Sequence, residues 1–314
     1  ETIQKAKNAG IKIVMVTGDH ALTAKAIAEE IGLIEPGDEV LTGEQLNELS
    51  DETLKERIGK VRIFARVEPQ HKLRIIKIYQ RLGEVVSVTG DGVNDALALK
   101  QAHVGVAMGT TGTDVAKEAS DLVILDDNLS TLVQAVEQGR LVYANILKTV
   151  KFLLSGNLSE ILLIAVAVLA GLPTPLLPAQ ILWINFVTDG LPALALSMDS
   201  PSKHIMQSPP RRKNVGLLNS QSIHFILGYG GLIALICLLM FWGFLNMFNL
   251  EIARSYTFSL MVVLQMVLVF VMRRHHSVFS NKYLFWAAAF VLLSQALILY
   301  YPPFQSLFKV ESGL

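Results

Sequence analysis

Two aspartates and an asparagine fall within five residues in the string Val88-Thr89-Gly90-Asp91-Gly92-Val93-Asn94-Asp95-Ala96. A β-branched run, Glu84 to Val88, precedes it, and an apolar-periodic stretch, Ala96 to Ala102, follows it as a helix. The spacing predicts a turn between a strand and a helix, and the carboxyl ends of strands are where open α/β sheets bind ligands. The glycines let backbone approach a ligand closely. Asp91 and Asp95 supply the hard oxygens that Mg²⁺ takes when it also holds a phosphate. Thr17-Gly18-Asp19 repeats the pattern, after the run Ile11 to Val16 and before a helix from Ala21 to Ile31. Two parallel strands ending in such turns, side by side at one rim of a sheet, would build a phosphate site from backbone N–H groups and helix N-termini. Lys72, near a helix start just after a strand, is a surface lysine by default and a possible phosphate contact by position.

A second group of polar residues lies inside apolar runs. Glu160 and Asp189 are the carboxylates there. Each costs about 2.5–3.5 kcal/mol at the centre of a membrane helix, so each marks a functional site by default. Asn157 and Glu160 are three apart and share a helix face; Asn185, Thr188 and Asp189 share a face of the next helix. Gly190 and Pro192 follow at once and predict a break that frees carbonyl oxygens. The five residues together make an oxygen-rich cluster suited to a hard cation such as Ca²⁺. Gln265 and Gln295 read as packing groups, and His275-His276 beside Arg273 and Arg274 as a solvated basic face.

The elements that must carry these residues divide the chain in two. Residues 1–145 alternate strand and helix, which implies an α/β fold with a parallel sheet and helices on both faces. Strands are expected at Ile11–Val16, Val61–Ala65, Val85–Val88, Val104–Met108 and Leu122–Leu125, with a polar connection from Gly32 to about Gly43. Helices are expected at Gln70–Leu82 and near Val115–Ala119, with two short ones before Gly59. From Ser130 a helical pattern runs unpunctuated into residues 146–314, an all-α membrane region. Five segments reach the roughly 20 apolar residues that span a bilayer, near 150–171, 179–198, 223–246, 256–272 and 284–301. Lys203, Arg211, Arg212 and Lys213 after the second, and Arg273, Arg274 and Lys282 after the fourth, put those loops and residues 1–145 in the cytoplasm. With an odd number of spans the C-terminus lies outside.

Composition agrees with a mixed protein. Of 314 residues 52% are hydrophobic, mean hydropathy is +0.45 and formal net charge is zero, too apolar for an ordinary soluble domain and too polar for one wholly in the membrane. The one cysteine, Cys237, excludes an intrachain disulfide. No signal peptide is visible, and the start at Glu1 reads as a piece of something longer.

Four stretches, Met15–Asp19, Phe64-Ala-Arg-Val-Glu-Pro-Gln-His-Lys72, Thr89–Asp95 and Gln180-Ile-Leu-Trp-Ile-Asn-Phe-Val-Thr-Asp-Gly-Leu-Pro192, closely resemble P-type cation-transporting ATPases, most of all calcium pumps of the sarcoplasmic-reticulum type. The resemblance covers nearly the whole chain. It implies a haloacid-dehalogenase-like Rossmann phosphorylation domain, which passes the ATP γ-phosphoryl to an aspartate and then hydrolyses it, in a multi-pass protein of the cell (plasma) membrane. It implies that Asp91 is a Mg²⁺ ligand and Asp95 supports the metal; that Thr17, Gly18, Lys72 and Asn94 contact the phosphoryl group, with Asp19 supporting that loop; and that Asn157, Glu160, Asn185, Thr188 and Asp189 bind the transported Ca²⁺. The loop with Pro209-Pro210-Arg211 resembles the family's sixth-to-seventh loop.

Departures matter as much. The Asp-Lys-Thr-Gly-Thr string with the phosphorylated aspartate is absent from these residues, as are counterparts of the nucleotide-binding and actuator domains, the first four spans and the tenth. The chain alone is therefore expected to be inactive, with the missing half of the pump as its partner and no role for nucleic acid. Leu97 replaces the family's usual proline, and the fourth span has no carboxylate where sarcoplasmic-reticulum-type pumps place one, which implies one ion per cycle. Alternatives are a truncated, non-catalytic membrane protein with a phosphate- and Mg²⁺-binding domain, or a pump for Mn²⁺, Na⁺ or H⁺.

Overall fold

A computed structural model describes residues 1–202, 204–211, 216–273 and 280–311. Lys203, Arg212, Lys213, Arg274 and His275-His276, all used in the sequence reading, lie outside the described residues, as do residues 312–314. The chain forms two compact units, Glu1–Gly139 with Lys203–Asn214, and Arg140–Ser202 with Val215–Leu314.

The first unit begins with α1 (Thr2–Asn8), β1 (Met15–Val16), α2 (Ala21–Glu30) and β2 (Glu39–Thr42). Then come α3 (Gly43–Glu48), α4 (Asp51–Arg57), β3 (Val61–Ala65), α5 (Pro69–Arg81) and β4 (Ser87–Gly90). A 3₁₀ turn (Val93–Asp95) leads into α6 (Ala96–Gln101), β5 (Val104–Met108), α7 (Asp114–Glu118) and β6 (Leu122–Ile124). Local chemistry sets many of these boundaries. Thr42 and Gln45 form a reciprocal capping box at α3, and the Ser50 and Thr113 hydroxyls cap α4 and α7. Pro69 opens α5, where a missing N–H costs nothing. One face of α5 buries Ile75 and Ile78 against Leu54, Ile58, Val61 and Phe64.

The expected single sheet is instead two parallel three-stranded sheets, ordered β1-β3-β2 and β4-β5-β6. β1 and β4 are therefore not side by side. Each is an edge strand, β1 pairing Met15 with Ile63 and β4 pairing Thr89 with Val106. The ladder at β1 is only two residues long, where Ile11–Val16 was expected. β2 was not foreseen, because Glu39–Thr42 follows directly on the Gly- and Pro-marked stretch read as a connection.

Residues 204–211 pack back on the first unit. Met206 joins Ala6, Ala9 and Val133 in a small core. Gly10 has φ +71°, and a Cβ there would meet Pro210 at 2.8 Å, so glycine is needed both for conformation and for contact.

α8 (Leu129–Leu169) is one 41-residue helix, assigned to the first unit as far as Gly139 and to the second beyond it. The second unit continues with α9 (Pro178–Trp183), a π-helical stretch (Ile184–Thr188), α10 (Gly190–Ser197), α11 (Ser220–Met247), α12 (Leu250–Val271), α13 (Lys282–Tyr300) and α14 (Pro302–Phe308). Asparagines open the three long helices: Asn219, Asn249 and Asn281 each accept an N–H from the first turn, at 2.7–3.0 Å. Among the described residues, five helical segments, counting 178–197 as one, are long and apolar enough to cross a membrane. They match the expected spans to within a few residues, apart from α12, which starts six residues early, and α8, which extends far beyond its apolar part. α14 was not expected. It seats Phe308 edge-on against Trp183, with ring centroids 5.4 Å apart, and the Phe308 carbonyl accepts from Gln180.

Candidate functional site

At the end of β1 the Thr17 hydroxyl donates to Asp19 Oδ2 at 2.8 Å and accepts the Asp19 N–H at 3.1 Å. Backbone bonds tie this turn to the chain after β3: Arg66 N–H donates to the Asp19 carbonyl and Val67 N–H to that of Thr17. At the end of β4, Asp95 is buried and Asp91 and Asn94 are exposed. A Cβ on Gly90 would lie 2.6 Å from Asp95 Cβ, so the close approach of strand and turn requires glycine there. Lys72, on α5, reaches Asp95 Oδ1 at 2.5 Å. This ion pair links the helix after β3 to the turn after β4. Thr17 and Asp19 thus meet each other, and Lys72 meets Asp95. No hydrogen bond joins the first pair to the second, or either pair to Gly18, Asp91 or Asn94.

Asp91 and Asp95 are the carboxylates here that could hold Mg²⁺. Asp91 is an exposed carboxylate on a turn fixed by Thr113 N–H donating to the Asp91 carbonyl at 2.8 Å, and Asp95 keeps its other oxygen close to the Gly92 N–H. Oxygen ligands held mostly by one or two carboxylates, with room for water, are what Mg²⁺ prefers. Asp127 stabilises the neighbouring loop, accepting the N–H groups of Gly109, Thr110 and Thr111 at 2.6–3.0 Å. Those bonds, led by that of Thr110, hold its carboxyl below the usual carboxylate range.

In the second unit, Glu160 on α8 receives the Asn185 amide at 3.1 Å and the Gln265 amide at 3.4 Å. Gln265, on α12, is therefore not the mere packing group its place in an apolar run suggested. Its Nε2 and the Asp189 carboxylate both face the bare Cα of Gly156. Asp189 is 1% exposed, and neither of its oxygens has a hydrogen-bond partner. Thr188 Oγ1 and Gln265 Oε1 are likewise buried without partners. Asn157 lies half-buried one turn before Glu160, but no hydrogen bond joins it to the group. Gln295 donates to Ser259 at 3.1 Å, and its Oε1 is buried without a partner.

The expected break sits earlier than Gly190 and Pro192. The π turn closes with Asp189 N–H bonded to the Ile184 carbonyl five residues back, at 2.8 Å, and regular helix resumes at Gly190 with Pro192 in its first turn. Proline has no N–H to give the Thr188 carbonyl, and widening the preceding turn accommodates that loss. The result puts Asn185, Thr188 and Asp189 on the wide part of the helix.

A third cluster escaped the sequence reading. Asp199, just past α10, is 2% exposed and sits between Arg273 Nη2 and Lys148 Nζ, each at 2.9 Å. Asn145 caps the carbonyls of Ser197 and Asp199, and Asn281 that of Ala195. Arg273 is buried, not solvated. Burial raises the Asp199 pKa, but hydrogen bonds and charge from Arg273 and Lys148 outweigh it and hold the group below the usual range.

Residues 1–103 match the family of haloacid dehalogenase-like hydrolases, and residues 173–312 the family described as cation transporting ATPase, C-terminus. The chain is 46% identical over 315 residues to the calcium-transporting ATPase of Bacillus subtilis (strain 168), covering 98% of this chain and 35% of that protein. It is 36% identical over 339 residues to calcium-transporting ATPase 1 of Schizosaccharomyces pombe, with 99% and 36% covered. With calcium-transporting ATPase type 2C member 1 of Homo sapiens it shares 39% identity over 323 residues, with 96% and 34% covered. The chain thus spans about a third of the length of these curated relatives.

Proposed function

Since the chain belongs to the P-type cation-transporting ATPases, we propose that it supplies part of the phosphorylation domain and the cation-binding bundle of an ATP-driven calcium pump. The carrying observation is Asp189, a buried carboxylate without a partner, beside Glu160 and Gln265 on neighbouring membrane helices. Leaving a charge so placed is costly unless a cation or a proton joins it. The donors are carboxylate, amide and hydroxyl oxygens, the chemistry of a calcium site. In this reading Glu160, Asn185, Thr188 and Asp189 hold the transported ion, Asn157 completes the set and Gln265 adds an amide.

The soluble half supports the same function. Two edge strands, β1 and β4, each end in Thr-Gly-Asp, and a further strand carrying the accepting aspartate would satisfy both edges. The reaction breaks the bond between the β- and γ-phosphoryl groups of ATP, forms an acyl phosphate on that aspartate and releases ADP; water then cleaves the acyl phosphate. Asp91, with Asp95 in support, would hold Mg²⁺, which neutralises phosphoryl charge when bound. Lys72 offers its ammonium group, and Thr17, Gly18 and Asn94 offer hydroxyl, backbone and amide donors to phosphoryl oxygens, while Asp19 fixes the Thr17 hydroxyl. Phosphoryl transfer needs this positioning and charge neutralisation more than covalent help. The membrane is the plasma membrane and residues 1–145 are cytoplasmic.

Calcium-dependent formation of an acid-stable, hydroxylamine-sensitive phosphoenzyme from ATP, in the full-length polypeptide that carries this chain, tests the proposal. Wild type is expected to form it only with calcium, and Asp189→Asn not to form it at any calcium concentration that saturates wild type. Phosphoenzyme formation by Asp189→Asn with unchanged calcium dependence would refute the site.

A further inference from the structure

Gly156 sits on α8 four residues before Glu160, where Asp189, just before α10, and Gln265 on α12 face that helix. A methyl group on its Cα would stand 3.2 Å from Asp189 Oδ2, 3.5 Å from Asp189 Oδ1 and 3.2 Å from Gln265 Nε2. Contacts at 3.2 Å are tighter than nine in ten that a real Cβ makes, so the carboxylate and the amide would have to give way. Both are the ends of rotatable side chains. The fold can absorb the methyl by shifting these ends a few tenths of an ångström, and that shift changes the arrangement of oxygens.

Nor can α8 retreat from them. Close beside Gly156, Gly230 of α11 comes so near that its own Cβ would lie 3.0 Å from the Ser155 carbonyl oxygen and 3.0 Å from Leu158. The neighbouring hydroxyls are already used within the helix: Ser155 donates to the Lys151 carbonyl and Ser159 to that of Gly156, both at 2.7 Å. The surface that α8 presents at Gly156 is thus bare backbone. Facing it are the two partnerless oxygens of Asp189, and Thr188 Oγ1 and Gln265 Oε1 are buried without partners as well.

We propose that Gly156 is a specificity-determining position, whose missing side chain sets the width of the cluster and so the size of the ion it accepts. This rests on the cation-site reading above. Ca²⁺ takes six to eight oxygens at about 2.3–2.6 Å in flexible geometry, whereas smaller divalent ions take fewer ligands at shorter range. Pushing Asp189 and Gln265 away from α8 disperses the oxygens that a large ion must gather at once. A smaller ion, needing fewer of them, loses less.

The test is Gly156→Ala in the full-length polypeptide, with phosphoenzyme formation titrated against free Ca²⁺ and, separately, free Mn²⁺. The half-saturating Ca²⁺ concentration is expected to rise about tenfold or more and that for Mn²⁺ less than threefold. An unchanged Ca²⁺ requirement would overturn the proposal, and so would equal loss for both ions. A variant without a calcium-free unfolding transition also counts against it, because only side-chain ends are expected to move. Asp189→Asn, run in parallel, separates the two levels. If it keeps its calcium dependence the cation-site reading itself fails; if it loses it while Gly156→Ala is silent, only the role of Gly156 fails.

Discussion

Asp189 and Asp199 flank one short helix, α10, and are 1% and 2% exposed, yet their surroundings differ in charge. Asp199 is held between Arg273 and Lys148, and the carbonyls around it are capped by asparagine amides. Asp189 faces a glycine and an amide, with no cation and no hydrogen bond. Desolvating a charged carboxylate costs several kcal/mol, and a partner or a proton must offset this. At Asp199 the protein supplies the partner, so the charge organises structure. At Asp189 it does not, and in the proposed reading the transported cation would supply the partner.

Removing each carboxylate is the sharpest way to break this comparison. Asp199→Ala leaves the buried Arg273 and the half-buried Lys148 without their counter-charge and is expected to destabilise the protein by about 3–5 kcal/mol, read as a fall in calcium-free unfolding temperature. Asp199 is also expected to make wild type acid-sensitive. A carboxyl held below its ordinary value stabilises the fold above the ordinary carboxylate range, and that contribution is lost as pH falls through the folded value. The Asp199→Ala protein should therefore lose less stability between neutral and acid pH than wild type.

Asp189→Asn should change calcium-free stability by no more than about 1 kcal/mol. What it should remove is ligand linkage. Wild type at calcium a hundredfold above its dissociation constant gains about 2.7 kcal/mol, and the variant should gain nothing, as measured by thermal unfolding with and without calcium. A smaller effect is expected at the sheet rim. Lys72 is only partly buried, so Lys72→Ala should cost about 0.5–1 kcal/mol in unfolding experiments. Its effect on the phosphorylation rate should be far larger, about a hundredfold, as for a lost donor to a developing anion.

How much of this was legible depended on whether a residue's role is local. The Thr-Gly-Asp turns, the capped helices and the apolar spans are written in neighbouring residues, and their positions could be read directly. The separation of β1 from β4 could not, because edge or interior is a property of pairing. Asp199 and Arg273 sit in polar loops whose composition looks solvated; only the packing of α8, α12 and α13 around the end of α10 buries them. Gln265 looked like one polar group in an apolar helix, and the signal that could have promoted it was its depth, similar to that of the two intramembrane carboxylates. Gly156 carries no side chain to notice, and its meaning comes entirely from what faces it.

The most direct measurement is equilibrium binding of radiolabelled calcium to the protein in lipid nanodiscs, wild type against Asp189→Asn. Saturable binding by wild type that disappears in the variant, with both proteins folded, is the predicted result. Equal binding by the two would contradict the account, because the partnerless carboxylate would then have no ion to hold.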